Sequence, residues 1–355
     1  MTKFISALLA GALLASCGSA PPDSLAESDT TEQSWTLADT TLFPADRSLV
    51  RPEDGVFLSD GRLIVADLRY GLIELSEDGV ATPFGDFAAA GYVSGDSADS
   101  GGPNGVHLSP SGDHILTADV YTGKIYLTDI ASEKTSVVVA HSALVNTAIS
   151  DSTGAIWFTQ STDGFGEERL FEAVGTPMGD GALFRLGRNE DGSYASEPTL
   201  LVDGLDFANG FYLDEKAGKL YLSETLGNRV LAFNLDVEQG TVSDQSVLAE
   251  VISPDNMRMV ADGSLWVASP FTNSVYAIDP KTGEQRVVFD GQTDKGREIL
   301  AEWNRRDEAG ETRLDLIGPE LHGELPGLVT GMIVDNENEP VFISGLGDAL
   351  VRLNR

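Results

Sequence analysis

One cysteine, four histidines and 23 basic residues are few for a chain of 355. The lone cysteine, Cys17, leaves no partner for a disulfide within the chain. Against the 23 Lys and Arg stand 56 Asp and Glu, a formal net charge of −33, and the basic residues form no run. Such a chain repels phosphate backbones and anionic lipid, so neither nucleic acid nor an acidic membrane surface is expected as a partner. Long hydrophobic runs are missing as well. The one compact apolar stretch, residues 4–15, falls short of the roughly 20 residues that span a bilayer. No G-x-S-x-G elbow occurs, which argues against a serine hydrolase built on that turn. What is present is 41% apolar residues, enough to bury a full core, and 38 glycines, which point to many tight turns.

The first residues read as an address. Lys3 supplies a positive start, residues 4–15 an apolar segment, and Leu14-Ala15-Ser16-Cys17-Gly18 resembles a bacterial lipobox cut before Cys17. Residues 1–16 are therefore expected to be a signal peptide and Cys17 a lipidated residue. Gly18 after the cysteine resembles an outer-membrane sorting signal. Residues 17–33, rich in Ser, Thr, Pro and acids, read as a lipid-anchored flexible tether. The expected location is the bacterial cell envelope, facing the periplasm or exterior, with the outer membrane favoured. The lipid is then the protein's sole link to a membrane.

Residues 34–355 are a repeat. A polar residue opens each copy, followed by three short alternating strands rich in Val, Ile, Leu, Tyr and Phe, with SPSG, ADG or EKAG turns between them. The copies begin at Glu53, Asn104, Asn146, Asn209, Asp255 and Thr330. Helices of ordinary length do not alternate with these strands, so a parallel βαβ sheet is not expected. Six units of roughly 40–50 residues predict an all-β, six-bladed β-propeller with four-stranded blades. The sixth copy shows only three strands, and residues 34–43 are expected to supply its outer strand and close the ring. Two insertions, residues 160–180 and 290–326, are either a cap over one mouth or ordinary surface loops; the second contains a candidate helix, GREILAEWNRR.

Aligning the copies puts Glu53, Asn104, Asn146, Asn209 and Asp255 in one column, with Asn256 beside the last. Equivalent positions of a propeller converge on its central channel. Amides with two or three carboxylates, and neither His nor Cys, suit a hard cation with oxygen ligands, calcium before zinc or magnesium, although another divalent ion would fit. Asn-Gly and Asp-Gly are also common turn formers, but Glu at position 53 is not explained by turns.

Glu53, Asn104-Gly, Asn146, Asn209-Gly and Pro254-Asp255-Asn256 resemble the senescence marker protein/gluconolactonase family and its paraoxonase and strictosidine synthase-like relatives. The resemblance covers nearly all of residues 45–355. It implies a six-bladed propeller, calcium ligands at Glu53, Asn146, Asn209 and Asp255, and an extra ligand at Asn256 from the paraoxonase pattern. Thr147 stands where gluconolactonase-type members usually carry Asp, and Asn104 where paraoxonases carry a catalytic His. Thr330-Gly331 offers no counterpart to the Glu that strictosidine synthases use, so amine–aldehyde condensation is not expected. His107 is expected to be a structural strand residue and His322 an exposed one without a role.

The activity so implied is calcium-dependent hydrolysis of a small lactone or ester, with Asp255 and Asn104 as the expected catalytic residues and Asp255 also a candidate base. The competing reading is a non-catalytic, calcium-stabilised binding propeller that captures a small molecule or an envelope protein. A monomer is expected in either case.

Overall fold

Each repeat bends from its first strand into its second at a residue with left-handed backbone. Gly61, Gly112, Gly154, Gly218 and Gly263 hold φ between 64° and 91°. The degenerate sixth copy uses Asn338 at φ 60°, asparagine being a side chain that tolerates this region. The resulting hairpins assemble into six antiparallel sheets in a computed structural model that describes residues 34–354 other than Asp96 and Ala98. The proposed signal peptide, Cys17 and tether lie outside the described residues.

The innermost strands are Gly55–Phe57, Pro103–Leu108, Leu144–Ser150, Ala208–Asp214, Met257–Met259 and Val329–Val334 for blades one to six. Three further strands follow outward in each of blades one to five. In blade six the fourth strand is Thr40–Phe43, which pairs antiparallel with Leu350–Leu353, so the segment before the first blade closes the last one. Trp35–Thr36 goes further than expected. It adds in parallel to Gln285–Asp290, the outer strand of blade five, and makes that sheet five-stranded.

The strands alternate as a doubly packed blade must, and their buried sides meet between blades. Among the described residues, six apolar clusters fill the six blade junctions. Leu58, Ile64 and Val106 sit between blades one and two, and Phe43, Val65 and Ile333 between six and one. Trp157, Phe211 and Leu220 join three to four, while Trp35, Trp266 and Met332 join five to six.

Both insertions fold into helices. The first contains α1 (Glu167–Gly175), which the sequence pattern did not disclose. The second contains α2 (Asp294–Ala309) and the single turn α3 (Pro319–His322). Thr293 caps α2 by accepting from the Gly296 amide, and Gly310 ends it in a left-handed conformation. A seventh cluster, including Ala173 from α1, Trp303 from α2 and Leu321 from α3, with Phe207, Leu226 and Phe271 from blade loops, makes the two insertions one cap. Strand direction fixes its side. The innermost strands run away from the face that carries residues 53, 104, 146, 209 and 255, and the loops holding both insertions return to that face.

Candidate functional site at the mouth of the channel

The six copies place two successive residues near the channel axis. The second of each pair alternates Asp54, Gly105, Thr147, Gly210, Asn256 and Gly331. Three side chains therefore alternate with three glycines around the ring. A Cβ on Gly210 would lie 2.6 Å from the Asn256 Cα, one on Gly105 2.9 Å from the Thr147 hydroxyl, and one on Gly331 3.4 Å from the Asn256 Cβ. None of these glycines has positive φ. They are not turn residues, as Asn-Gly would lead one to expect; they sit in or beside strands and leave room for the neighbouring blades' side chains.

That room lets Asn256 cross past blade six and donate to Glu53 Oε1 at 2.8 Å. Thr147 crosses past blade four and donates to Asn256 Oδ1 at 3.4 Å and to Asn146 Oδ1 at 3.2 Å. Asn104 donates to Asn146 Oδ1 at 3.1 Å. Asn209 binds the Thr225 hydroxyl at 3.1 Å, and Thr225 in turn donates to the Pro254 carbonyl just before Asp255. Blade six supplies no carboxylate; Thr330 and Ser344 donate to the Glu53 carbonyl. All six residues singled out from the sequence thus meet in one buried cluster, Asp255 being the most exposed at 8%.

Two oxygens of the cluster have no partner. Glu53 Oε2 and Asp255 Oδ1 are buried without a hydrogen bond. Burial first, then the nearby Asp255 and Asp54 charges, pushes the Glu53 carboxyl well up from its ordinary range. Burial also pushes Asp255 up to about 8, with Arg51 and Asn209 partly opposing it. Two buried acids, each with an unpartnered oxygen and neither in an ion pair among the described residues, are the feature a cation would complete. No three His, Cys, Asp or Glu side chains converge among the described residues, so most donors at this mouth are amide oxygens. Thr147 accounts for part of that: its one hydroxyl proton lies within reach of two amide oxygens, whereas an ionised Asp in its place would have none to donate.

A second charged group lies beside the first. Asp54, fully buried, takes both carboxylate oxygens to Arg258 of blade five at 2.7 and 2.9 Å and accepts the Val106 amide of blade two at 2.8 Å. The pair ties three blades together. His107 Nε2 lies 4.0 Å from Asp54 without a hydrogen bond, and burial, with the Arg258 charge, pulls its pKa well below the ordinary value. It is a neutral channel residue beside the Asp54–Arg258 pair. His322 is partly buried, and its Nδ1 lies 2.9 Å from the Leu325 carbonyl, inside the cap.

Sequence reasoning missed Arg51, Asp54 and Arg258. Asp54 follows Glu53 directly and Arg258 lies two residues after Asn256, and only the crossing of the channel shows that they pair. Arg51 lies two residues before Glu53 and donates to Asn104 Oδ1 at 2.7 Å and to the Pro103 carbonyl at 2.8 Å. Near it, on the capped face, lies a cavity of about 810 Å³ walled by Val50, Leu68, Tyr121 and Phe165 and by the charged Arg69 and Glu168.

Residues 137–291, from the end of blade two through blade five, match the family model described as SMP-30/Gluconolactonase/LRE-like region. Regucalcin of Xenopus laevis is 36% identical over 89 residues, 23% of this chain and 29% of that protein. Adipocyte plasma membrane-associated protein Hemomucin of Drosophila melanogaster is 25% identical over 180 residues, 47% of this chain and 30% of that one. The chain thus spans less than a third of the length of these two curated relatives. A solved gluconolactonase of Xanthomonas campestris superposes with a TM-score of 0.59 at 20% identity, over 90% of both chains, a likeness of fold.

Proposed function

From a chain whose residues 137–291 match the SMP-30/gluconolactonase/LRE-like region, we propose a calcium-dependent hydrolase of lactone or ester bonds, with its centre at the capped mouth. One observation carries the reading: Glu53 and Asp255 bury unpartnered carboxylate oxygens in a ring of amides, on the face that also holds a cavity walled by Val50 and Gly101, three residues before Glu53 and Asn104. The donor set fits a hard cation, since two carboxylates match its charge and Asn146, Asn209 and Asn256 add neutral oxygens. Calcium, or another divalent ion, would supply Lewis-acid polarisation of the substrate carbonyl when bound.

The chain's own groups do the rest. Asn104, held between Arg51 and Asn146, orients the substrate at the ring. Asp255 is the most exposed member of the ring; with a cation bound it would be ionised, and as ligand and base in turn it accepts a proton from the attacking water. The water oxygen bonds to the acyl carbon, the ring or ester C–O bond breaks, and the proton passes to the departing alkoxide. The cap keeps bulk water from the reacting group.

Asp255→Asn and Glu53→Gln are each expected to lower hydrolysis of a lactone and aryl-ester panel at least ~100-fold, the usual scale for a lost acid–base group. Both are also expected to abolish a calcium-induced rise in melting temperature. A chelator should reproduce the loss in the wild-type protein. Turnover that survives chelator and both substitutions would overturn the reading, and a calcium-dependent melting shift without any turnover would leave a binding propeller instead.

A further inference from the structure

Among the described residues Arg51 has no ion-pair partner, in a protein that has more than twice as many acids as bases. Its two hydrogen bonds go to neutral acceptors, the Pro103 carbonyl and the Asn104 amide oxygen. No carboxylate among the described residues lies within ion-pair distance of it. A guanidinium carries five N–H donors, so three are left over. Its neighbour Arg69, by contrast, is neutralised by two hydrogen bonds to Asp67.

The backbone is committed to placing this side chain. Arg51 holds φ 57°, a conformation that costs a non-glycine residue free energy and persists where the surroundings impose it. Two hydrogen bonds impose it here, from the Arg51 amide to the Gly347 carbonyl and from the Glu53 amide to the Arg51 carbonyl. The guanidinium sits 5.7 Å from the centre of the Tyr121 ring. Tyr121 and Val50, the residue before Arg51, both wall the 810 Å³ cavity, and Leu68 and Phe165 add apolar surface; Arg69, Glu168 and three serines form its polar part, and Arg51 adjoins the cavity through Val50 and Tyr121 without itself being one of its walls. The Arg51 charge offsets those of Glu53 and Asp255 in the metal-free ring; once these two share a divalent cation, that compensation is gone.

We propose that Arg51 anchors the carboxylate of an organic monoanion whose apolar body lies in this cavity. The substrate class is then a lactone or ester that bears a carboxylate and an aromatic or aliphatic part. One guanidinium with spare donors suits a single planar carboxylate held by two parallel hydrogen bonds. The ester part of this assignment rests on the hydrolase reading; the anion site stands apart from it.

The test separates the two. Benzoate, which combines a carboxylate with an apolar ring, is titrated calorimetrically into the calcium-loaded full chain, and Arg51→Gln and Arg51→Lys are compared with wild type. Wild type is expected to bind, Arg51→Gln to bind ~10–100-fold more weakly, the range for a lost charge-assisted hydrogen bond, and Arg51→Lys to fall between. Benzyl alcohol, the uncharged control, is expected to show no such dependence. No benzoate binding by wild type, or equal binding by Arg51→Gln, would overturn the proposal whatever the turnover. If the protein hydrolyses esters, the ratio of kcat/KM for 4-acetoxybenzoate to that for phenyl acetate is read as well. It should fall in Arg51→Gln through KM; a ratio unmoved by the substitution would also overturn it. Absence of hydrolysis alongside Arg51-dependent benzoate binding sinks only the hydrolase reading.

Discussion

Glu53 and Asp255 carry opposite obligations in folding and in binding. In a metal-free protein their raised pKa values mean that both stay protonated in the fold at pH values where the unfolded chain has already ionised. The sign follows from linkage. Below about pH 4 both states are protonated and the two acids exert no pH-dependent penalty. As pH rises toward about 8, the Asp255 value, the unfolded state gains ionisation that the fold withholds, and stability falls. Arg51 and Asp54 face the same group from blade one, the former easing and the latter increasing the shift on Glu53. Surface acids such as Asp113 and Glu302, held down to about 2, act only below this window. In chelator, the melting temperature is therefore expected to be lower at pH 8 than at pH 5, with the slope reduced in Asp255→Asn. Saturating calcium, which binds the ionised pair, should remove the decline. A flat profile in chelator for wild type would show that the two acids are not held protonated by burial.

At the scale of elements, the cap has its own core. Trp303 of α2 is fully buried against Phe271 of blade five and lies under the Arg313 guanidinium, 4.4 Å away, which Asp307 holds at 2.5 Å. These residues belong to loops on one face and contribute to none of the blade-junction clusters. Trp303→Ala removes a large buried side chain, a cost of about 3–5 kcal/mol. Because that cost falls on the cap, hydrogen exchange is expected to accelerate across residues 294–322 while the inner blade strands keep their protection. Exchange that rises equally in the blades would mean that cap and propeller unfold as one unit. The helix itself was readable from GREILAEWNRR with its Thr293 cap and Gly310 stop. α1 was not: its apolar stripe is no weaker than that of α2, but nine residues are too few to hold a helix alone, and they become helical because Ala173 and its neighbours find Trp303 and Phe207 to pack on.

The whole molecule is a ring, and a ring must be closed. Residues 35–43 fasten it twice. Phe43 packs on Phe342 between blades six and one, with ring centres 5.4 Å apart, and Trp35 packs on Trp266 between blades five and six, 5.9 Å apart. Phe43→Ala and Trp35→Ala are each expected to cost about 3–5 kcal/mol. Since the two side chains lie in separate clusters, their effects should add within a few tenths of a kcal/mol in chemical denaturation. A double variant much less destabilised than that sum would show that one contact alone closes the ring.

The sequence by itself determined the number of blades, their strands, the outer strand of blade six and the column of residues at the mouth. These are legible because strand period, turn chemistry and a repeated register are local signals, and repetition multiplies them. Tertiary structure alone decided which neighbours of that column matter. Asp54 and Arg258 are 204 positions apart and pair only because the channel brings blades one and five face to face. The glycines at 105 and 210, each after an Asn, looked like turn formers, and only the packing shows that three side chains fill the axis where six would collide. Arg51 is one arginine among many in the sequence. Its lack of a carboxylate partner, and the cavity beside it, exist only once the ring has closed around them.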